Sequence, residues 1–361
     1  MRNYILMSFL CAVMVCGATN FVYHDARQFP LLGSVVPVEN GYTRFPDSLK
    51  TQVKRELLYT LGTNTAGMSI RFASDATDIG AKWVSTLELE MNHMTPVGIR
   101  GLDLYTLDDN NEWTFVSSVR PTVNKKASKY TIMNGMERKM REYLLFLPLY
   151  DGLDSLYIGV DSLAVVAQPK VDLPKREKPI VVYGTSITQG ACASRPGMAH
   201  TNILERELNR EVYNFGFSGN GQLDLEVARL MASIDAGLYI IDCSPNNKAQ
   251  QLRDNLDPFY RLLREARPDV PILFIESPYF PLSRFNKDVA KDLKEKNEVL
   301  EAYYKKLKKE GAKKIYYMKG EEVLGGNVEY TVDNYHFTDL GFRYIADKLK
   351  PLIKKYSIKI K

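Results

Sequence analysis

The feature that most constrains this chain is a change of hydrophobic period near residue 170. Before it, Met68, Ile70 and Phe72 alternate with small or polar residues. Short β-rich runs recur at 83–89, 102–107, 114–119, 129–133, 143–148 and 156–160. Turn formers such as Asp108-Asp109-Asn110-Asn111, Asn134-Gly135 and Asp151-Gly152 separate several of them. With no long helical pattern between them, the strands from about 35 to 168 predict a β-sandwich. Residues 169–178 are rich in Pro and charge and read as a linker. Strand-like runs at 180–183, 212–215, 238–242, 272–275 and 314–318 then alternate with helix-compatible stretches at 197–209, 224–235, 249–266, 287–310 and 338–355. That alternation implies an α/β unit, a parallel sheet covered on both faces with its reactive site at the carboxyl ends of the strands.

Composition matters mainly for what it excludes. The chain has 361 residues, 45% hydrophobic and 25% charged, enough for two domains with cores. A net charge of +5, from 48 basic and 43 acidic residues evenly spread, gives no reason to expect nucleic acid as the partner. The Lys/Glu-rich face of the 287–310 helix reads as a solvated surface opposite a stripe of Val289, Leu293, Leu300, Tyr303 and Leu307.

Residues 1–18 combine Arg2, an apolar run from Tyr4 to Cys16 and small residues at Gly17 and Ala18, the pattern of a secretory signal peptide. The run falls short of the ~20 residues that span a bilayer, and no later stretch is long and apolar enough. Export to the periplasm or the extracellular space is therefore the expectation. Cys16 leaves a lipoprotein variant open, although Val15 is a poor fit to the small residue that lipidation sites prefer. Beyond the signal, Cys192 and Cys243 have no metal-type spacing. They read as two buried apolar residues, with a disulfide as the alternative.

Four loops at strand ends carry the chemistry. Gly184-Thr185-Ser186-Ile187-Thr188 follows the first strand of the α/β unit, and a serine after a buried strand and a tight turn can present its hydroxyl at the mouth of a site. Thr188 excludes the GxSxG elbow. Phe215-Gly216-Phe217-Ser218-Gly219-Asn220-Gly221 offers backbone N–H groups, and Ser244-Pro245-Asn246-Asn247 offers a side-chain amide, both useful to an oxyanion. Near the C-terminus, Asp333 and His336 are spaced so that the carboxylate can hold Nδ1–H and free Nε2 to take a proton. His24, His93 and His200 have no evident partner and read as structural.

In the order Ser186, Gly219, Asn246, His336, the chain resembles the SGNH (GDSL-like) esterase/lipase superfamily. The usual GDS block is GTS here, with Thr185 in place of Asp, and the usual GxND block is Ser244-Pro245-Asn246-Asn247. Gly101-Leu102-Asp103-Leu104-Tyr105 matches the GxDLY signature of an N-terminal β domain found with a branch of secreted bacterial members. GTSITQG (184–190), Ser194-Arg195-Pro196-Gly197 and the GFSGNG run also look like that branch. The resemblance implies a flavodoxin-like three-layer hydrolase domain at 179–361, preceded by an all-β, jelly-roll-like sandwich at 19–168.

It further implies a serine esterase with Ser186 as nucleophile, His336 as base and Asp333 orienting it. The oxyanion would be held by the Ser186 and Gly219 N–H groups and the Asn246 amide. Gln189 and Arg195, just past the nucleophile, are candidate substrate contacts. The scheme calls for neither a metal nor a cofactor. Acylated carbohydrates, with loss of O-acetyl groups, are the substrates the resemblance favours. A lipid-type esterase or thioesterase, or a non-catalytic glycan-binding member, are the alternatives.

Overall fold

The computed structural model describes residues 20–171 and 177–358. The signal peptide expected at 1–18, with Cys11 and Cys16, and the middle of the linker expected at 169–178 lie outside the described residues. Ten strands build the N-terminal half: β1 (Phe21–Asp25), β2 (Leu31–Leu32), β3 (Ser69–Ser74), β4 (Ile79–Ser85), β5 (Leu102–Leu107), β6 (Trp113–Val119), β7 (Ala127–Met133), β8 (Arg141–Phe146), β9 (Leu153–Asp161) and β10 (Val166–Ala167). They form two antiparallel sheets, ordered β1-β9-β4-β7 and β10-β3-β8-β5-β6, with β2 added on β3. Met68, Ile70 and Phe72 meet Ile79, Ala81 and Trp83, with Leu145 and Ile158, in one apolar layer between the sheets. This is the packing that two-residue alternation requires of a sandwich.

Two parts of this half depart from the sequence reading. The run expected at 83–89 is β4, four residues earlier. Leu87 and Leu89 donate their N–H groups to the two oxygens of Asp151, at 2.8 and 3.1 Å, instead of to a neighbouring strand. The stretch 35–62 is also not strand. It forms short helical segments, of which Asp47–Thr51 and Glu56–Gly62 pack against the α/β half.

The C-terminal half has five parallel strands, β11 (Ile180–Gly184), β12 (Val212–Gly216), β13 (Leu238–Asp242), β14 (Ile272–Ile275) and β15 (Ile315–Met318), in the flavodoxin-like order β12-β11-β13-β14-β15. Val181 and Tyr183 of β11 face one apolar cluster, while Ile180 and Val182 face the other. The first cluster takes the helices Leu225–Ser233, Ala249–Ala266 and much of Lys287–Lys309; the second takes His200–Leu208 and Asp339–Tyr356.

Both clusters also contain residues of the N-terminal half. Phe45, Leu49, Leu58 and Leu61 complete the first, and Ala66, Met94, Ile99, Leu149 and Tyr150 the second. The halves thus share their cores. Cys192 and Cys243 are buried and free. No helix among the described residues is long and apolar enough to cross a membrane.

Glu205 lies in the same seam. Its carboxylate accepts from the Ser69 hydroxyl of β3 at 2.8 Å and from the Val212 N–H at 3.4 Å. Burial, with Glu211 nearby, pushes it up to about 8. A carboxyl raised above its unfolded value of about 4.3 contributes most below that value, and the contribution is lost as pH climbs through the folded value. Glu205→Gln should therefore gain on wild type as pH rises from 5 to 9, read as a Tm difference that widens with pH; a difference constant with pH would contradict this.

Candidate active site

The site is assembled where the strands of the parallel sheet end. Strand β11, flanked by β12 and β13, stops at Gly184, and the chain turns straight into a single helical turn, Ser186–Gln189, with Thr185 Oγ1 accepting from the Ile187 N–H at 3.2 Å. A Cβ on Gly184 would lie 1.9 Å from Thr188 Oγ1, so this turn needs glycine at the strand end. Ser186 is 8% exposed, and its N–H sits in the first turn, where backbone donors have no intrahelical acceptor.

The far end of the chain supplies the partner. Residues 331–337 fold into a tight loop closed by a bridge between Thr331 and Phe337, with Asn334 in the left-handed region at φ 73°. Phe337 is fully buried against Phe342 and fixes the loop to the final helix. His336 Nε2 lies 2.9 Å from Ser186 Oγ, and His336 Nδ1 lies 2.7 Å from Asp333 Oδ2. Asp333 Oδ1 also accepts from the backbone N–H groups of His336, at 2.8 Å, and Tyr335, at 3.1 Å. Burial pushes the Asp333 carboxyl up, but these bonds outweigh it and hold the group below its ordinary value. With Nδ1–H engaged by Asp333, Nε2 is left as an acceptor facing the serine hydroxyl.

Gly219, after β12, has φ 66°, and nothing lies within 4 Å of where a Cβ would project. Asn246, after β13, is partly buried; its Oδ1 accepts from the Gly221 N–H at 3.2 Å, which leaves its NH2 end free for another acceptor. A cavity of about 450 Å3 opens beside Ser186, Asn246 and His336. Thr185, Ile187 and Pro245 flank these residues, and the far wall comes from Phe280, Tyr335 and the long helix, which contributes Val289, Leu293, Asp288, Asp292 and Lys296. Lys296 is buried and pairs with Asp292 at 2.6 Å. The stripe that holds Val289 and Leu293 looks the same in sequence whether it meets a core or a cavity, so this wall gave no separate signal.

Neither residue expected to contact substrate reaches the cavity. Gln189 is fully buried: its amide donates to Asn64 Oδ1 at 3.0 Å and the Leu149 carbonyl at 3.1 Å, and its Oε1 accepts from the Ser218 N–H at 2.9 Å. Arg195 turns toward the sandwich. There it donates to Asp103 Oδ2 at 2.7 Å and to the Tyr105 hydroxyl at 2.6 Å, and lies 4.0 Å over the Phe115 ring.

The GxDLY segment is thereby explained. Asp103 Oδ2 also accepts from the Gly197 N–H at 2.7 Å, and a Cβ on Gly197 would meet the Tyr105 hydroxyl at 2.4 Å. The adjacent Ser194 donates its N–H to Asp339 at 2.9 Å, at the start of the final helix beside the His336 loop. His93, read as structural, instead packs its ring 5.6 Å from that of His336.

Residues 177–354 match the GDSL-like lipase/acylhydrolase family, and residues 21–166 match the N-terminus of esterases of the SGNH-hydrolase type. A solved protein from Bacteroides ovatus, described as a GDSL-like lipase, is 35% identical, with a TM-score of 0.87 over 95% of this chain and all of that one. The chain belongs to the GDSL-like (SGNH) hydrolase family and is a carboxylic ester hydrolase. Two more distant structures share the fold. A salicylyl-acyltransferase from a tetracycline biosynthetic pathway is 16% identical, with a TM-score of 0.75 over 93% of this chain and 97% of that one. A family two carbohydrate esterase from Clostridium thermocellum, solved in complex with cellohexaose, is 14% identical, with a TM-score of 0.56 over 80% of this chain and 92% of that one. No match was found among curated proteins.

Asp103 is a buried carboxylate whose Oδ2 serves both a guanidinium and a backbone N–H. Asp103→Asn keeps the size and removes the charge. It should cost about 1–3 kcal/mol in urea unfolding, whereas a midpoint equal to wild type would show the clamp to be dispensable.

Proposed function

We propose that this protein is an exported serine esterase that removes acyl groups, acetyl foremost, from carbohydrates. The observation that carries the reaction is the hydrogen-bonded run from Ser186 Oγ through His336 to Asp333, at 2.9 and 2.7 Å, beside an open cavity. Ser186 Oγ attacks the acyl carbonyl while His336 Nε2 takes the hydroxyl proton, and Asp333 steadies the imidazolium. The Ser186 and Gly219 N–H groups and the free amide end of Asn246 receive the oxyanion. His336 then returns the proton to the departing alcohol, and a water activated by the same imidazole releases the acid. The export part of this reading rests on the pattern of residues 1–18 alone.

The carbohydrate part rests on the cavity wall. About 450 Å3 is more than an acetyl group fills, so the space also accommodates part of the alcohol. Phe280 and Tyr335, edge to face at 5.1 Å, offer aromatic surface to the C–H face of a sugar ring, and the Asp288, Asp292 and Lys296 side chains offer partners to hydroxyls. The fold shared with a carbohydrate esterase fits this reading. The apolar residues Ile187, Pro245, Val289 and Leu293 support a second one, in which the cavity takes a longer acyl chain.

Two measurements test these statements. Ser186→Ala and His336→Ala, which act as a unit, should each lower kcat by at least about 10³-fold on p-nitrophenyl acetate, with Asp333→Asn losing less. Asn246→Ala should lose on the order of 10²-fold in kcat. Activity untouched by Ser186→Ala would remove the nucleophile from the scheme. Across acetyl, butyryl and octanoyl esters, kcat/KM should fall with chain length; a rise would replace the deacetylase reading with the lipid-type one.

A further inference from the structure

His93, Cys192, Asp333 and His336 reach one point from three separate segments. His93 comes from the loop before the sandwich helix Pro96–Arg100, Cys192 from the loop after the nucleophile turn, and the other two from the tight loop before the last helix. One ligand atom of each lies within 4.8 Å of every other. In a tetrahedral zinc site, with Zn–S about 2.3 Å and Zn–N about 2.0–2.1 Å, neighbouring ligand atoms stand roughly 3.3–3.6 Å apart. Side-chain rotations that draw these atoms together by about 1 Å close that gap. Two imidazoles, a thiol and a carboxylate suit zinc and cobalt, whereas magnesium and calcium favour all-oxygen sets.

Two local details fit a ligating role. Cys192 is held at φ 69°, a conformation costly for a residue with a Cβ, two positions after a glycine that makes the preceding turn at φ 108°. The chain thus keeps a side chain where glycine would be easier, and places its thiol inward, 3.2 Å from the His93 carbonyl oxygen. His93 Nδ1 lies 3.1 Å from Asn92 Oδ1, the kind of outer contact that orients a ligating imidazole.

We propose that these four side chains form a site for a borderline divalent cation of the zinc class, and that its occupancy switches the hydrolase off. Binding forms the metal–sulfur bond and releases the thiol proton to solvent, with no change of oxidation state. Both ring nitrogens of His336 are already committed, one to Ser186 and one to Asp333. A cation on His336 or on Asp333 therefore breaks the proton path from the serine. The inhibitory half of the proposal rests on the esterase reading above; the binding half does not.

The test separates the two. The full chain carrying Ser186→Ala is titrated with Co2+ while thiolate-to-cobalt absorption is followed. One equivalent should saturate it, Zn2+ should displace it, adding Cys192→Ser should abolish it, and adding His93→Ala should weaken binding at least tenfold. His93 is exposed, so that variant does not strain the fold. In the active protein, Zn2+ should inhibit p-nitrophenyl acetate hydrolysis reversibly, with recovery on adding EDTA. His93→Ala and Cys192→Ser should each need at least tenfold more Zn2+ for half-inhibition relative to their own starting rates. Absence of the thiolate absorption, or equal Zn2+ sensitivity of wild type and both variants, overturns the proposal. A chain that binds Co2+ through Cys192 yet hydrolyses no ester supports the metal site and counts against the esterase reading instead.

Discussion

Arg44 is 1% exposed, and its guanidinium donates to four backbone carbonyls: those of Leu61 and Asn64 in the N-terminal half, and of Asn214 and Gly216 at the end of β12. Burial pushes it down to about 9, so it remains protonated at neutral pH. A buried cation is tolerable only when its donors are met, and the planar guanidinium meets four carbonyls that a lysine could not reach together. The consequence is geometric. The end of β12 introduces the Gly219 loop, so that loop is positioned from the N-terminal half.

The same logic repeats around the site. Gln189 joins the Ser186 turn to Asn64 and Leu149 on one side and to Ser218 on the other. Asp103 and Tyr105 hold Arg195 and Gly197, and the neighbouring Ser194 holds Asp339. None of these residues touches the cavity, yet each fixes a loop that does, or the element beside it. The sandwich is therefore part of how the loops are located. A catalytic hydrogen bond tolerates little displacement, which gives a physical reason for the two halves to share their apolar clusters as well.

Much of this was readable beforehand, and what was readable has a common cause. The strands at 180–184, 212–216 and 238–242 and the helix at 249–266 are set by local periodicity, which needs no knowledge of the partner surface. Ser186, Asn246 and His336 stood out because their order along the chain follows the strand ends. Gln189 and Arg195 were legible as polar residues near Ser186, but not in their direction. Which way a side chain turns depends on Asn64, Leu149, Asp103 and Tyr105, far away in sequence. His93 shows the converse: with no partner in its own segment it looked inert, and only the docking of the sandwich loop brings it to His336. The displaced strand at 83–89 has the same origin, since a buried aspartate 62–64 residues later captures its N–H groups.

The replacement of the usual Asp by Thr185 also follows from local physics. The position is fully buried, lines the cavity and immediately precedes the serine. Its one evident duty is to accept from the Ile187 N–H and so start the helical turn. A carboxylate can do this, but it would put a negative charge at a position fully shielded from water. A threonine hydroxyl supplies the same acceptor without the charge. The GTS block thus starts the same helical turn with an uncharged acceptor, and its departure from GDS leaves the contact between Ser186 and His336 intact.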